Sequence, residues 1–203
     1  MATYDYVDLK IPDAKLAADL NGISFDLRRA RYFAEQLISE LQSRSTNWSM
    51  VEPLSIAISV TYARAFSTGV RRWLSESDLQ ILSSEQRSAH DYIYEYRNKH
   101  VAHSVNEFEE NLARAYYCIE RVQDEGISSI GYGGGRVSGL SERDAHAVVE
   151  LTNIFEKHLE QQIADENKRL LELVRLMPIR DVLSMGKEVF VPRNENIGKR
   201  RKS

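Results

Sequence analysis

The densest group of chemically capable side chains lies near the middle of the chain, where Arg97, Asn98, Lys99, His100 and His103 fall within one heptapeptide. An imidazole titrates near pH 6.5 and moves protons at neutral pH, whereas a guanidinium stays charged and grips phosphate oxygens in a planar fork. That pair suits phosphodiester chemistry. In RNA the neighbouring 2'-OH is a built-in nucleophile, so one imidazole to carry a proton and one guanidinium to stabilise the phosphorane charge suffice. The same residues have a structural reading: Lys and His near a helix C-terminus complement the macrodipole, and a histidine at a core edge commonly serves packing. Other chemistries fit worse. Zinc needs several ligands at suitable spacing, and His100 with His103 is the one close pair, with no His-Glu-x-x-His pattern. Cys118 sits in an apolar run without a local base and reads as an inert small hydrophobe. Neither a metal nor another cofactor is expected.

These residues need a helix to position them. At 3.6 residues per turn, Ala89, Tyr92, Ile93 and Tyr96 share one stripe, and His100 and His103 continue it, each seven residues beyond Ile93 and Tyr96 respectively. The imidazoles should then face a core edge or a partner subunit, with Arg97 beside them and Glu95 and Lys99 on the opposite side. Ser84 is placed to cap this helix. Ahead of it, Leu16, Leu20, Ile23, Leu27, Ala30, Ala34, Leu37 and Leu41 recur at alternating steps of four and three, a long helical seam. Pro53 suits the first position of a second helix running to about Trp73, which carries Arg64, Arg71 and Arg72 as solvated charges or as a local anion-binding edge. Ser75 to Ser84 is a connector with a short apolar insertion.

Asn106 with Glu109 resembles an N-cap and its reciprocal partner, predicting a fourth helix through Leu112, Ala115, Tyr116, Ile119 and Val122, stopped at Gly126. Gly131, Gly133, Gly134, Gly135 and Gly139 then crowd around Tyr132 and Arg136. Their spacing matches no phosphate-binding fingerprint and reads as a flexible hairpin or linker. From Ser141 a helix of about ten turns runs to Met177, and its polar middle, Glu156 to Arg169, fits an arm reaching away from the core or across a dimer. Pro178 ends it, followed by a short segment, a strand at Glu188 to Val191 and a basic tail, Lys199 to Lys202.

The chain has 203 residues, 28% charged and 42% hydrophobic, with a net charge of -3. That is the size and make-up of one globular domain with appendages. It carries no broad basic footprint for duplex nucleic acid, so any RNA contact must be local. A single cysteine suits a reducing cytoplasm, and no apolar stretch is long enough to span a membrane. A soluble, cytoplasmic protein is expected.

The segment Tyr96 to Ser104, YRNKHVAHS, in which five residues separate Arg97 from His103 and the first of them is Asn98, resembles the signature of the HEPN superfamily. Its Ala-His-Ser ending resembles the AbiU-type abortive-infection branch. The resemblance implies an all-α, up-and-down four-helix bundle over residues 1–125, to which a glycine-rich loop (126–140) and a long extra C-terminal helix with short segment and tail (141–203) are added. It also implies a homodimer in which two such segments face one cleft, forming a metal-independent endoribonuclease of phage-defence or toxin type that leaves a 2',3'-cyclic phosphate. In that scheme Arg97 binds the phosphate, Asn98 orients it and His103 is the acid/base, with His100 in a variable stretch of the motif. Some members carry a Tyr two residues beyond the histidine, where Val105 stands here; a Tyr partner, where one is needed, must come from elsewhere, such as Tyr96. RNA is the implied substrate, and an antitoxin or regulatory protein a further partner. The competing expectation is a catalytically inactive module of the same fold that binds a nucleotide or a protein.

Overall fold

In the computed structural model, which describes residues 3–69, 71–101, 109–121, 123, 126–136 and 139–188, the N-terminal seam forms α1 (Lys15–Gln42). Leu20, Ile23, Leu27, Ala30, Ala34 and Leu37 are all buried along it. Each such leucine or isoleucine contributes about 1.5–3 kcal/mol by leaving water. After a short turn, α2 (Trp48–Ala63) packs across α1, with Pro53 inside the helix rather than at its start. α2 ends ten residues earlier than its apolar pattern predicts. The Ser67 hydroxyl donates to the Ala63 carbonyl at 2.7 Å, competing with backbone continuation, and the chain turns so that the Leu74 amide reaches the Ala65 carbonyl at 2.8 Å.

The connector contains a 3-10 turn, Asp78–Ile81, and leads to α3 (Ser84–Glu95). The cap is Ser83, one residue before the predicted one, in a capping box: its hydroxyl accepts the Gln86 amide at 3.2 Å while the Gln86 side chain accepts the Ser83 amide at 2.9 Å.

The predicted fourth helix is not formed over its described residues, 109–121. Glu109–Tyr117 is a strand, β1, and the glycine-rich Ile127–Arg136 is its antiparallel partner, β2, so the fold is mostly helical rather than all-α. The glycines explain the pairing. Tyr116 lies over Gly131 and Arg114 over Gly133, so larger residues there would displace those side chains, and a Cβ on Gly134 would overlap the Glu110 carbonyl oxygen. Gly134→Ala is therefore expected to break the register of the hairpin while sparing the helices. Loss of slow amide exchange across 109–117 with unchanged helical circular dichroism would show this; retained protection in β1 would refute it.

The long C-terminal helix α4 (Glu142–Leu176) takes the place beside α1 and α3 that the 106–122 segment was expected to fill. Ser141 and Asp144 cap it reciprocally. Ala145, Val148, Leu151, Phe155 and Leu159 are fully buried. Its polar middle does not reach away from the core: the whole helix runs antiparallel along α1, joined by Gln42 to Glu142 at 2.7 Å at its start and, along the middle, by Arg31 to Glu156 at 2.8 Å and Arg169 to the Asp13 carbonyl at 3.0 Å. A short α5 (Ile179–Ser184) follows Pro178. The Asp8 amide then meets the Gly186 carbonyl at 2.9 Å, tying the two ends of the described chain together. The predicted strand beyond Glu188 and the basic tail lie outside the described residues. Among the described residues, no helix is long and apolar enough to cross a membrane.

Candidate functional site

α3 turns a somewhat different face inward from the one its apolar residues predict. His90, Ile93 and Tyr96 are buried and Ala89 is partly so, while Tyr92 is 41% exposed. At Tyr96 the helix widens into a π-turn, Tyr96–Val101. Hydrogen bonding from i to i+5 adds a residue to each turn, so a seven-residue step no longer returns to the same side. The expectation that the His100 and His103 side chains extend the α3 stripe falls outside the described residues. The backbone of His100 lies within the π-turn; His103, and Val105 after it, lie outside the described residues.

Arg97 and Asn98 are both half-buried on this turn, directly after the buried Tyr96. The Arg97 guanidinium donates from Nη1 to Asn98 Oδ1 at 2.9 Å, so Asn98 orients the fork. Among the described residues no carboxylate pairs with Arg97. Its neighbour Lys99 differs: Glu95 lies 2.8 Å away, one turn back, and the hydrogen bond that the ammonium donates to that carboxylate raises the Lys99 pKa. The π-turn thus offers one guanidinium at the edge of the core, preoriented by an amide and not neutralised by an acid seen in the described structure. Such a group can take a phosphate in its planar fork.

His90 was not singled out by sequence spacing. Its ring is 4% exposed, packed edge-on against Phe66 and Phe155 and stacked near Tyr94, and its Nδ1 lies 2.9 Å from the Tyr62 hydroxyl. Burial lowers its pKa to about 4; the weaker pull of Asp91 and Glu76 opposes this shift and the Arg87 charge adds to it. Burial likewise pushes the Tyr62 phenol up. His90 is neutral at pH 7 and serves the core. A free histidine titrates near 6.5, so between pH 6.5 and 4 the unfolded chain binds the proton first, and stability falls as the pH drops through that window. The expected loss is about 3 kcal/mol by pH 4. Urea midpoints across this range should fall for the wild type and flatten for His90→Asn; parallel slopes would refute the assignment.

The other buried carboxylates serve structural joints. At Asp78 burial pushes the pKa up, but the Ser75 amide at 2.8 Å, His158 at 3.0 Å and the Ser75 hydroxyl at 3.0 Å outweigh it and lower the pKa, fixing the connector to α4. Asp26 on α1 is 3% exposed and receives Arg71 at 2.8 Å and Arg64 at 3.4 Å, while the Arg72 amide donates to Asp19 at 3.0 Å. The three arginines that follow α2 thus converge on α1. Cys118 is half-buried at the end of β1 and donates to Glu120 at 3.2 Å, rather than packing in an apolar helix. Among the described residues no group of three or more His, Cys, Asp or Glu side chains is arranged to hold a metal ion. Comparison with family models, with curated proteins and with solved structures finds no match for the chain in any of the three.

Proposed function

We propose that the chain is a metal-independent endoribonuclease of the HEPN type, acting in phage defence or as a toxin, with Arg97 and His103 as its working pair. The observation that carries the reading is Arg97: a half-buried guanidinium, aimed by Asn98 and paired with no carboxylate among the described residues. Uncompensated charge held at a core edge is costly unless an anion completes it. A phosphodiester supplies that anion.

In the reaction the 2'-oxygen attacks phosphorus as His103 removes the 2' proton. The P–O2' bond forms and the P–O5' bond breaks, and the proton is returned to the leaving 5'-oxygen. The products are a 2',3'-cyclic phosphate and a 5'-hydroxyl, with no oxidant or metal required by the balance. Arg97 stabilises the charge that develops on the phosphorane oxygens, the step where a fixed donor counts most. Tyr96, buried beneath the turn, holds the backbone from which Arg97 projects. His100 is a supporting base on the same turn. Two copies in a cytoplasmic homodimer would bring two such segments to one cleft, and an antitoxin or regulatory protein would hold the activity in check. The test is total RNA incubated with the protein in EDTA. Fragmentation is expected; RNA left intact, yet bound, would instead favour the inactive binding module.

A further inference from the structure

The outward face of α1 carries an arrangement that neither the core nor the Arg97 turn uses. Phe25 and Tyr32, seven residues apart on one helical stripe, are 57% and 56% exposed, and Arg28 and Arg29 lie between them. Rings of that size are normally turned inward on a helix with so regular a buried seam. Arg29 is over the Phe33 ring at 5.6 Å, and among the described residues no carboxylate pairs with Arg28 or Arg29.

Beside this stripe lies a cleft of about 640 Å³ walled by Phe25, Arg29, Thr61, Arg64 and Arg71. Gly22 lets Arg71 lie across α1, since a Cβ there would come within 3.2 Å of the guanidinium. A second cleft continues from Arg71 to Arg72 and the half-exposed Trp73. The two carboxylates on this face do not cancel the charge. Asp26 is buried under Arg71 and Arg64, and Asp19 holds the Arg72 amide and Lys15. A strongly positive strip interleaved with aromatic rings therefore runs along a protein whose net charge is -3. From Asp19 to Tyr32 it is about 20 Å long at 1.5 Å per residue.

We propose that this strip is a track for single-stranded RNA. Guanidiniums follow the phosphates while Phe25, Tyr32 and Trp73 offer ring faces for unstacked bases, the combination by which single strands are held without regard to sequence. The length accommodates about four nucleotides, the lower end of such sites. An acidic peptide would not use the rings, and a membrane surface would need a continuous apolar face where Arg28 and Arg29 stand. The track extends the ribonuclease reading by naming how a strand is gripped, but it rests on different residues, and each can fail alone.

The test is fluorescence anisotropy of the full chain with a labelled 2'-O-methyl oligouridylate, which has no attacking hydroxyl. Arg29→Gln with Arg64→Gln should weaken binding at least tenfold and reduce the slope of log affinity against log salt by about 1.4, the share of two phosphates on a single strand. Phe25→Ala and Tyr32→Ala should each weaken it about tenfold. In an Arg97→Gln background, Phe25→Ala and Tyr32→Ala should still each weaken binding about tenfold, whatever becomes of cleavage. Should the Arg64 variant unfold, Arg28→Gln and Tyr32→Ala, both at exposed positions, decide the matter. Three results would overturn the track: affinity unchanged in these variants, uridine monophosphate binding as tightly as the oligonucleotide, or binding to anionic vesicles but not to RNA.

Discussion

His103→Ala is expected to lower metal-free RNA cleavage by about 10²–10⁴-fold, the usual contribution of a positioned general acid/base. Arg97→Ala should cost about 10²–10³-fold, as removal of one preorganised donor to a developing oxyanion does. Arg97→Lys is the sharper probe. Lysine keeps the charge but not the fork, and it cannot reproduce the planar bond that Asn98 accepts at 2.9 Å. Recovery of less than a tenth of the wild-type rate is therefore expected from it. Sedimentation must accompany the kinetics. A dimer that persists in Arg97→Ala with activity lost points to catalysis, whereas dissociation would make Arg97 an interface residue, and full activity in either alanine variant would remove the pair from the mechanism.

Phe155→Ala carries the largest expected cost to stability, about 3–5 kcal/mol. Its ring is fully buried on α4 and meets Phe66 at 5.1 Å between centroids and His90 at 6.3 Å, while Tyr62 and Phe66 lie 4.9 Å apart. One side chain thus joins α4, the end of α2 and α3. The cavity left by the ring cannot close without moving α3, which leads directly into the π-turn bearing Arg97. A fall in melting temperature of roughly 10 °C or more is expected. Leu176→Ala, at an 88% exposed position near the end of the same helix, should change stability by less than about 0.5 kcal/mol. Equal effects of the two substitutions would mean that α4 is not anchored through Phe155.

Long periodic segments were the legible part of the chain. α1 follows its seam almost residue by residue, and α4 begins and ends where Ser141 and Pro178 place it, because burial over many turns outweighs local preferences. The segment 109–117 misled. Its Leu, Ala and Tyr fit a helical repeat as well as a strand, and the deciding factor was a partner ten residues away whose glycines admit Tyr116 and Arg114. Composition alone leaves those glycines as either hairpin or linker. The end of α2 was missed for a local reason, the hydroxyl of Ser67 on the Ala63 carbonyl.

At the site, chemistry was easier to read than geometry. Arg97 with Asn98 stood out by residue type, and the structure adds that one orients the other. The π-turn could not be anticipated from a 3.6-residue repeat. His90 escaped notice because a histidine between Ala89 and Asp91 carries no sign of burial until Tyr62, Phe66 and Phe155, distant in sequence, close around it. The strip on α1 escaped notice as well. Phe25 and Tyr32 lie off the apolar seam of α1, and their exposure in the structure is what sets them apart.

Cleavage of RNA through attack of its own 2'-hydroxyl, with Arg97 and His103 as the working pair, leaves its signature on the fragment ends, which mass spectrometry reads after incubation in EDTA. Wild-type protein should yield 2',3'-cyclic phosphate and 5'-hydroxyl ends, and His103→Ala should yield neither above background. Fragments bearing 3'-hydroxyl and 5'-phosphate ends, or identical cyclic-phosphate yields from wild type and His103→Ala, would contradict it.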